Sequence, residues 1–376
     1  MQATDNMLFP HVIGQSHVLA DLQQMILQER VPQTLLFSGP SGSGTLATAI
    51  DFVAYLFADP SAEPMENDPN FIRIQKLVHP DLHFAFPVVG SDKTSDDFFP
   101  LWRKQLHETA YFSNQDWIAQ IADDKKQGNI NKKECDRILH LMSLKRYEGK
   151  RKVMIIWLPE YLGKEGNRLL KILEEPTDDS LFILVTENTS RILPTILSRC
   201  QIIQFNPLTD SDISGYLTDK YEIEPEEASN IAYLSDGSLT EALSLKDQEE
   251  NQPSYAFLEW LRICYKGLGP EMVQWADEFA KLGREQQKNF FTYGLHYLRE
   301  LLWVLAIPER EPRLRKEEVP SIRNLSRSLN INSLKKLVTL LDTAFLYIER
   351  NANPRLLGLS ASFEIRDIMK QVNKKS

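Results

Sequence analysis

The sequence predicts an α/β protein: a phosphate-loop-type parallel sheet in the N-terminal half, a short helical segment after it, and an all-helical C-terminal part. Three observations carry this. Short apolar runs alternate with helical patterns up to Phe205; the glycine-rich segment GPSGSGTL at 39–46 stands between one such run and a helix; and strand patterns stop after Asn206 and Pro207 while helical periodicity continues.

Taken in order, Leu19, Leu22, Met25 and Ile26 fall at helical spacing over 18–27, after a turn signal at 14–16. Residues 33–37 read as a buried strand running into Gly39, and 46–57 have the apolar spacing of a buried helix. The acidic stretch 58–69, with Pro60, Pro64 and Pro69, reads as a surface loop, and 79–89 as a second strand. Residues 90–128 are rich in Asp, Phe and Trp and read as an accessory helical insert. Ile138, Leu139, Met142 and Leu144 mark a helix that ends at the basic segment 145–152. Residues 153–157 and 181–185 are continuous apolar runs of the kind found in strands covered on both faces. A helix over 166–175, stopped by Pro176, separates them, and a helix over 191–199 leads to a last strand at 201–205. Short amphipathic helices follow over 208–247 with a turn at Asp236 and Gly237, then long helices that include 290–307 and 333–350. No internal repeat is present.

With 376 residues the chain suits two or three domains. A hydrophobic fraction of 42% and a charged fraction of 25% describe an ordinary globular protein. No stretch approaches the roughly 18 apolar residues of a membrane span, and the N-terminal segment lacks the pattern of a secretory signal, so a cytoplasmic location is expected. Cys135, Cys200 and Cys264 are too widely spaced for a disulfide framework or metal cluster and read as free, mostly buried thiols. The net charge of −9 is uneven: residues 251–376 hold 20 Lys and Arg against 14 Asp and Glu, or +6, which leaves −15 for the remainder. That basic excess fits a solvated helical surface, and a partner-facing or DNA-facing surface stays open.

The glycine loop departs from a working phosphate loop at two positions. In G-x-x-x-x-G-K-[ST], backbone N–H groups curl around phosphate, Lys neutralises the terminal phosphates and a hydroxyl holds magnesium. Gly39, Gly42 and Gly44 keep the framework, but Thr45 stands at the lysine position and Leu46 at the hydroxyl position. Each lost charge-assisted contact forfeits roughly 1.5–3 kcal/mol. Together they weaken binding by about two to four orders of magnitude. The loop alone leaves two readings, a retired nucleotide site or an ordinary glycine turn.

Segments VIGQ at 12–15, QTLLFSGP at 33–40, HPD at 79–81, NRLLKILEEP at 167–176 and LPTILSRC at 193–200 occur together and in this order. In that combination the chain resembles the clamp-loader subunits of bacterial DNA polymerase III, and most of all the delta-prime family, most clearly over 8–45 and 150–250. The resemblance implies an AAA+ fold: a sheet domain at 1–205 with an insert at about 90–128, a helical lid at 206–248 and a helical collar for oligomerisation at 249–376. Collar residues such as Phe345, Leu346, Leu356 and Leu357 are expected more in the core than at an interface.

In active relatives the strand matching 153–157 ends in carboxylates that organise magnesium and water. Here Trp157 and Leu158 hold those positions, and neither can ligate a cation or accept a proton. Glu160 is displaced along the turn and is expected to stabilise the following helix. Thr240 stands where the family's sensor arginine would be. The resemblance therefore implies no productive ATP binding and no ATPase activity in cis. Thr186 and Asn188 match the family's sensor region and are expected to satisfy local turn groups. The helix at 169–175 reads as a packing helix with Lys171, Glu174 and Glu175 exposed.

Ser198, Arg199 and Cys200 match an intact motif that, in the family, lies at a subunit boundary and donates its arginine to ATP bound by a neighbour. The resemblance thus implies Arg199 as a finger acting in trans, with Ser198 supporting it; a guanidinium suits charge spread over phosphate oxygens. A lone Arg at a helix C-terminus otherwise compensates the helix dipole. Cys200 is expected to be packed. The implied partners are gamma/tau-type ATPase subunits and a delta subunit, with the sliding clamp and primer-template DNA reached through a polymerase holoenzyme complex.

Two features depart from the family. Its four-cysteine zinc module has no counterpart in 58–80, and His79 and His83 alone are a poor donor set, so no zinc is expected. The insert at 90–128 has no family role to inherit. A divergent ATPase that still binds nucleotide, and a DNA-binding module using the basic C-terminal part, remain as alternatives.

Overall fold

The computed structural model describes residues 9–59, 67–122, 128–177, 179–246, 253–307, 309–312, 314 and 318–373. The chain divides into two compact units, Met1–Leu243 and Ser244–Ser376. Most of the expected loop at 58–69 lies outside the described residues.

The first unit opens with α1 (Ser16–Leu27), β1 (Thr34–Ser38), α2 (Thr45–Phe57), α3 (Pro69–Gln75) and β2 (Leu82–Ala85). Next come α4 (Ser95–Glu108), α5 (Asn114–Ile121), α6 (Lys132–Ser143) and β3 (Lys152–Trp157). A 3-10 helix, Pro159–Leu169, leads into α7 (Leu170–Glu174), followed by β4 (Ser180–Thr186), α8 (Pro194–Leu197) and β5 (Gln201–Gln204). Two helices, α9 (Asp210–Tyr221) and α10 (Pro225–Leu234), and the greater part of α11 (Leu239–Lys246) complete it.

The five strands form one parallel sheet in the order β2-β3-β4-β1-β5. Every residue of β1, β3 and β4 is buried, which is why their middles are apolar without alternation and polar residues stand only at their ends. The predicted α/β architecture is therefore present, with differences at element ends. The second strand is shorter than 79–89 because His79 and Asp81 are taken into a turn: the Asp81 N–H donates to His79 Nδ1 at 3.1 Å. Its carboxylate accepts from the backbone N–H groups of Tyr147, Glu148 and Gly149 at 2.7, 2.9 and 2.7 Å, which pins the basic loop before β3. The expected helix at 166–175 opens as the end of the 3-10 helix, which is kinked upstream at Gly163, and is α-helical only in α7.

The insert is helical, as its composition suggests, and α6 clamps it. Buried Glu134 accepts from the Ser95 N–H at 2.8 Å, Arg137 bridges Glu134 and Asp96, and Asn131 donates to the Gly90 and Lys93 carbonyls at 3.1 and 2.7 Å. Segment 206–243 stays with the sheet, since the Leu208 N–H bonds the Gly237 carbonyl and the Leu239 N–H bonds that of Gly42.

The second unit is helical among its described residues: α12 (Pro253–Lys266), α13 (Gly269–Phe279), α14 (Arg284–Ala306), α15 (Val319–Ser328), α16 (Ile331–Glu349) and α17 (Pro354–Asn373). Its core is aromatic, with Trp260 stacked on Trp275 at 4.7 Å and bonded through Nε1 to Ser362 Oγ at 2.8 Å. The collar residues named from sequence differ from expectation: Leu346 and Leu356 are exposed, and Phe345 and Leu357 are only half-buried. They face outward from α16 and from the start of α17, leaving the aromatic residues of α12–α14 to fill the interior. Among the described residues, no helix is long and apolar enough to cross a membrane.

Candidate functional site

The glycine loop leaves the end of β1 and turns into α2. Gly42 and Gly44 hold φ of 76° and 91°, a region that glycine adopts without steric cost. The carbonyl of Gly42 accepts from the Leu239 N–H at 3.2 Å, and a Cβ on Gly42 would come within 2.7 Å of the Leu239 and Thr240 nitrogens. The start of α11 therefore sits directly on the crown of the loop. From the other side, Gln15 Nε2 donates to the Ser43 and Asn206 carbonyls at 3.0 and 2.6 Å. Thr45 and Leu46 are buried at the start of α2 and bring no cation to the loop. Ser43 Oγ and Thr240 Oγ1 are buried without a hydrogen-bond partner among the described residues.

Beyond β3, the space around Trp157 is filled with rings. Trp157 is 3% exposed and packs on Trp102 and Phe112 of the insert, with centroids 5.1 and 5.0 Å away. Trp102 in turn stacks on Phe86 at 4.1 Å, and Trp117 anchors its Nε1 on the Pro87 carbonyl at 2.8 Å. Leu158 is buried at φ 56°, a left-handed conformation that costs an L-residue roughly 1–2 kcal/mol.

Tyr111, from the same insert, reaches the loop. Its hydroxyl accepts from the Ile13 N–H at 3.1 Å and donates to the His11 carbonyl at 3.3 Å. A Cβ on Gly44 would lie 2.9 Å from that hydroxyl. Burial pushes the phenol well above its usual range. The segment it grips is fixed to α2: the His11 N–H donates to Asp51 Oδ2 at 2.9 Å, and His11 Nδ1 lies 3.0 Å from Asp51 Oδ1. The Asp51 carboxylate is fully buried and raises the His11 pKa above its ordinary value by hydrogen bonding.

Glu160 stands in the first turn of the 3-10 helix, where a carboxylate suits the helix N-terminus as the sequence suggested, and it has a second role. Its carboxylate accepts from Thr186 Oγ1 at 2.9 Å and from the Glu187 N–H at 3.2 Å, so it ties the exit of β3 to the exit of β4. Burial raises its pKa, against those donors. Thr186 and Asn188 serve the local turn as expected: Thr186 Oγ1 accepts from the Asn188 N–H, and Asn188 Oδ1 accepts from the Ser190 N–H and hydroxyl.

Arg199 lies at the other end of the sheet. The β1/β5 register pairs Leu35 with Gln201 and Ser38 with Gln204, so Arg199 precedes the start of β5 while Gly39 follows the exit of β1. At about 3.3 Å per residue, the two are separated by more than roughly 13 Å along the strands. Its guanidinium donates to the Thr195 carbonyl at 2.6 Å and to Ser198 Oγ at 3.3 Å, and pairs with Glu174 at 3.1 Å. Arg199 Nε has no hydrogen-bond partner among the described residues. Lys171, Glu174 and Glu175 are exposed on the α7 segment that supplies its partner, and Ile202 is exposed on β5. Burial pushes the Cys200 thiol up to about 12, which makes it a packed residue and no nucleophile. His79 is enclosed behind Phe57, and burial lowers His83 to about 4. Among the described residues no group of three or more His, Cys, Asp or Glu is placed to hold a metal ion.

Sequence reasoning missed Tyr111, Gln15 and Asp51 as parts of this site. The aromatic density of 90–128 was the available signal for Tyr111, but a segment that closes over a distant loop leaves no spacing that points to its target.

A family model described as DNA polymerase III, delta subunit, matches residues 14–209. The chain belongs to that family. It is 28% identical to DNA polymerase III subunit delta' of Bacillus subtilis over 243 residues, 64% of this chain and 62% of that protein. It is 24% identical to the tau subunit of the same organism over 374 residues, 93% of this chain and 59% of that protein. The chain thus spans about three fifths of the length of these curated relatives. Among solved structures, a gamma subunit-related protein of Thermotoga maritima is similar at 12% identity and a TM-score of 0.37, covering 93% of this chain and 99% of that one.

Proposed function

We propose that this chain is a non-catalytic delta-prime subunit of a DNA polymerase III clamp loader, cytoplasmic, and that it supplies Arg199 to ATP held by a neighbouring gamma/tau-type subunit. In this reading Ser198 orients the guanidinium, a delta subunit completes the ring, and the assembly loads a sliding clamp onto primer-template DNA. The chain binds no productive ATP and no zinc. Its sheet domain, the lid at 206–248 and the collar at 249–376 follow the family plan. Exposed Leu346, Tyr347 and Leu356 suit the collar to assembly.

The observation that carries this reading is the placement of Arg199 at the far end of the β1/β5 pair from the chain's own glycine loop. An arginine side chain cannot bridge that separation, so any phosphate it serves belongs to another subunit. Its partner Glu174 is 56% exposed, and exposed pairs contribute only about 0–1 kcal/mol, so a neighbour's phosphate can draw the guanidinium away. The test is Arg199→Ala in a reconstituted complex. Arginine fingers are worth about 10³–10⁵ in rate at the site they serve. Loss of ATP turnover at one site and of clamp loading is expected; unchanged turnover and loading would remove the assignment.

A further inference from the structure

We propose that Glu174 is a positioning residue for Arg199: its carboxylate keeps the guanidinium stowed against α8 and gives it up to a neighbour's phosphate. This rests on the reading of Arg199 as a finger acting in trans, and it adds what sets the finger's resting position and what governs its release. A finger that met phosphate from its resting position would project from the surface with its donors open. Arg199 does the reverse: its side chain is 27% exposed, and its donors are turned onto its own chain.

Three observations describe the stowed state. First, the guanidinium folds back over the last turn of α8, where Nη1 donates to the Thr195 carbonyl at 2.6 Å and to Ser198 Oγ at 3.3 Å. Second, Nη2 pairs with Glu174 Oε2 at 3.1 Å. Nε and Nη2 form one side of the guanidinium fork, the side that closes on two oxygens of a carboxylate or phosphate. Third, Nε on that side is buried and has no hydrogen-bond partner among the described residues. The fork toward Glu174 is thus half filled, and it cannot close on an incoming oxyanion until the side chain leaves α8.

These features rank the competing acceptors. The pair with Glu174 is weak, because that carboxylate is 56% exposed and water solvates both charges. A phosphate that takes both Nε and Nη2 satisfies the donor that the stowed state leaves empty, so it wins the guanidinium. In its absence Glu174 is the charged acceptor within reach. Lys171 is exposed three residues earlier on α7, at the spacing that lets it take over the carboxylate once Arg199 has gone. The finger is thereby tied to occupancy of the neighbour's site: held back when that site is empty, freed when phosphate arrives.

The test combines the reconstituted complex with the full chain alone. The Arg199-dependent part of ATP turnover is the difference between complexes that hold the wild-type chain and Arg199→Ala. In Glu174→Gln, which keeps the shape and removes the charge, that part is expected to gain about two- to five-fold in kcat/KM, mostly through a lower KM. In the Arg199→Ala background the same substitution should change nothing. A fall in kcat/KM would mean that Glu174 aims the finger and would overturn the proposal, as would no change. In the full chain alone, the Arg199 Nε–H should exchange with solvent about two- to five-fold faster in Glu174→Gln while the β1 and β4 amides keep their protection. Equal exchange would overturn the proposal. Turnover left intact by Arg199→Ala would remove the finger reading and this one together, whereas a lost finger with a silent Glu174→Gln removes this one alone.

Discussion

Trp157→Ala is the substitution that separates a filled site from a disabled one. If position 157 were an idle remnant of a catalytic centre, trimming it would cost little. In the structure its side chain is 3% exposed, with two aromatic partners at 5.1 and 5.0 Å. Truncating a buried Trp costs about 3–5 kcal/mol, cavity included. The two ring pairs, worth roughly 0.5–1.5 kcal/mol each beyond their area, place the expected loss in the upper part of that range. For a unit of this size each kcal/mol moves the midpoint by about 2–4 °C, so the first unit should melt roughly 8–20 °C lower. Differential scanning calorimetry of the full chain measures this, with Trp157→Phe as the control that keeps a ring in place. A loss below about 1 kcal/mol, the size of an ordinary surface change, would refute the claim that the insert and β3 share one core.

Two further predictions concern buried carboxylates. Burial pushes the Asp81 pKa up, but the N–H groups of Gly149, Tyr147 and Glu148 outweigh it and hold the group below 3.8. Its stabilisation is therefore present above pH 3.8 and lost as pH falls through the folded value, so Asp81→Ala should flatten the acid limb of a urea-midpoint profile. It should also cost about 2–4 kcal/mol at neutral pH, since three donors lose their acceptor. The His11 pKa is raised above 6.5 by its hydrogen bond to Asp51, so its contribution is full below pH 6.5 and fades as pH rises through the folded value. Its ring titration, followed by NMR, should fall below the ordinary 6.5 in Asp51→Asn, because burial and the Lys220 charge then act without the carboxylate.

Much of the architecture was legible because its signals are local. Fully buried parallel strands must be apolar throughout, so 153–157 and 181–185 announced β3 and β4. The loop was legible for the same reason, since only glycine adopts the backbone at 42 and 44 without cost. Element ends were less so. The short β2 reflects a carboxylate at Asp81 that captures a loop some 66 residues away, and no local pattern encodes that. The second role of Glu160 was not legible because its partner, Thr186, is brought near only when β3 and β4 pair. In the helical unit, apolar periodicity marks which residues share a face but not whether the chain itself covers that face, and Leu356 is left exposed. The motif around Arg199 was visible in sequence; that it stands at the opposite end of the sheet from Gly39 needed the strand register.

The account's central claim is that this chain keeps the frame of a nucleotide site and has filled it. Isothermal titration calorimetry of the wild-type chain with Mg-ATP tests that most directly. The missing lysine and magnesium hydroxyl, with the start of α11 seated on the loop at Gly42, predict no saturable binding tighter than about 1 mM, near −4 kcal/mol. Micromolar binding, near −8 kcal/mol, would contradict the account and make the chain an ATP-binding subunit in its own right.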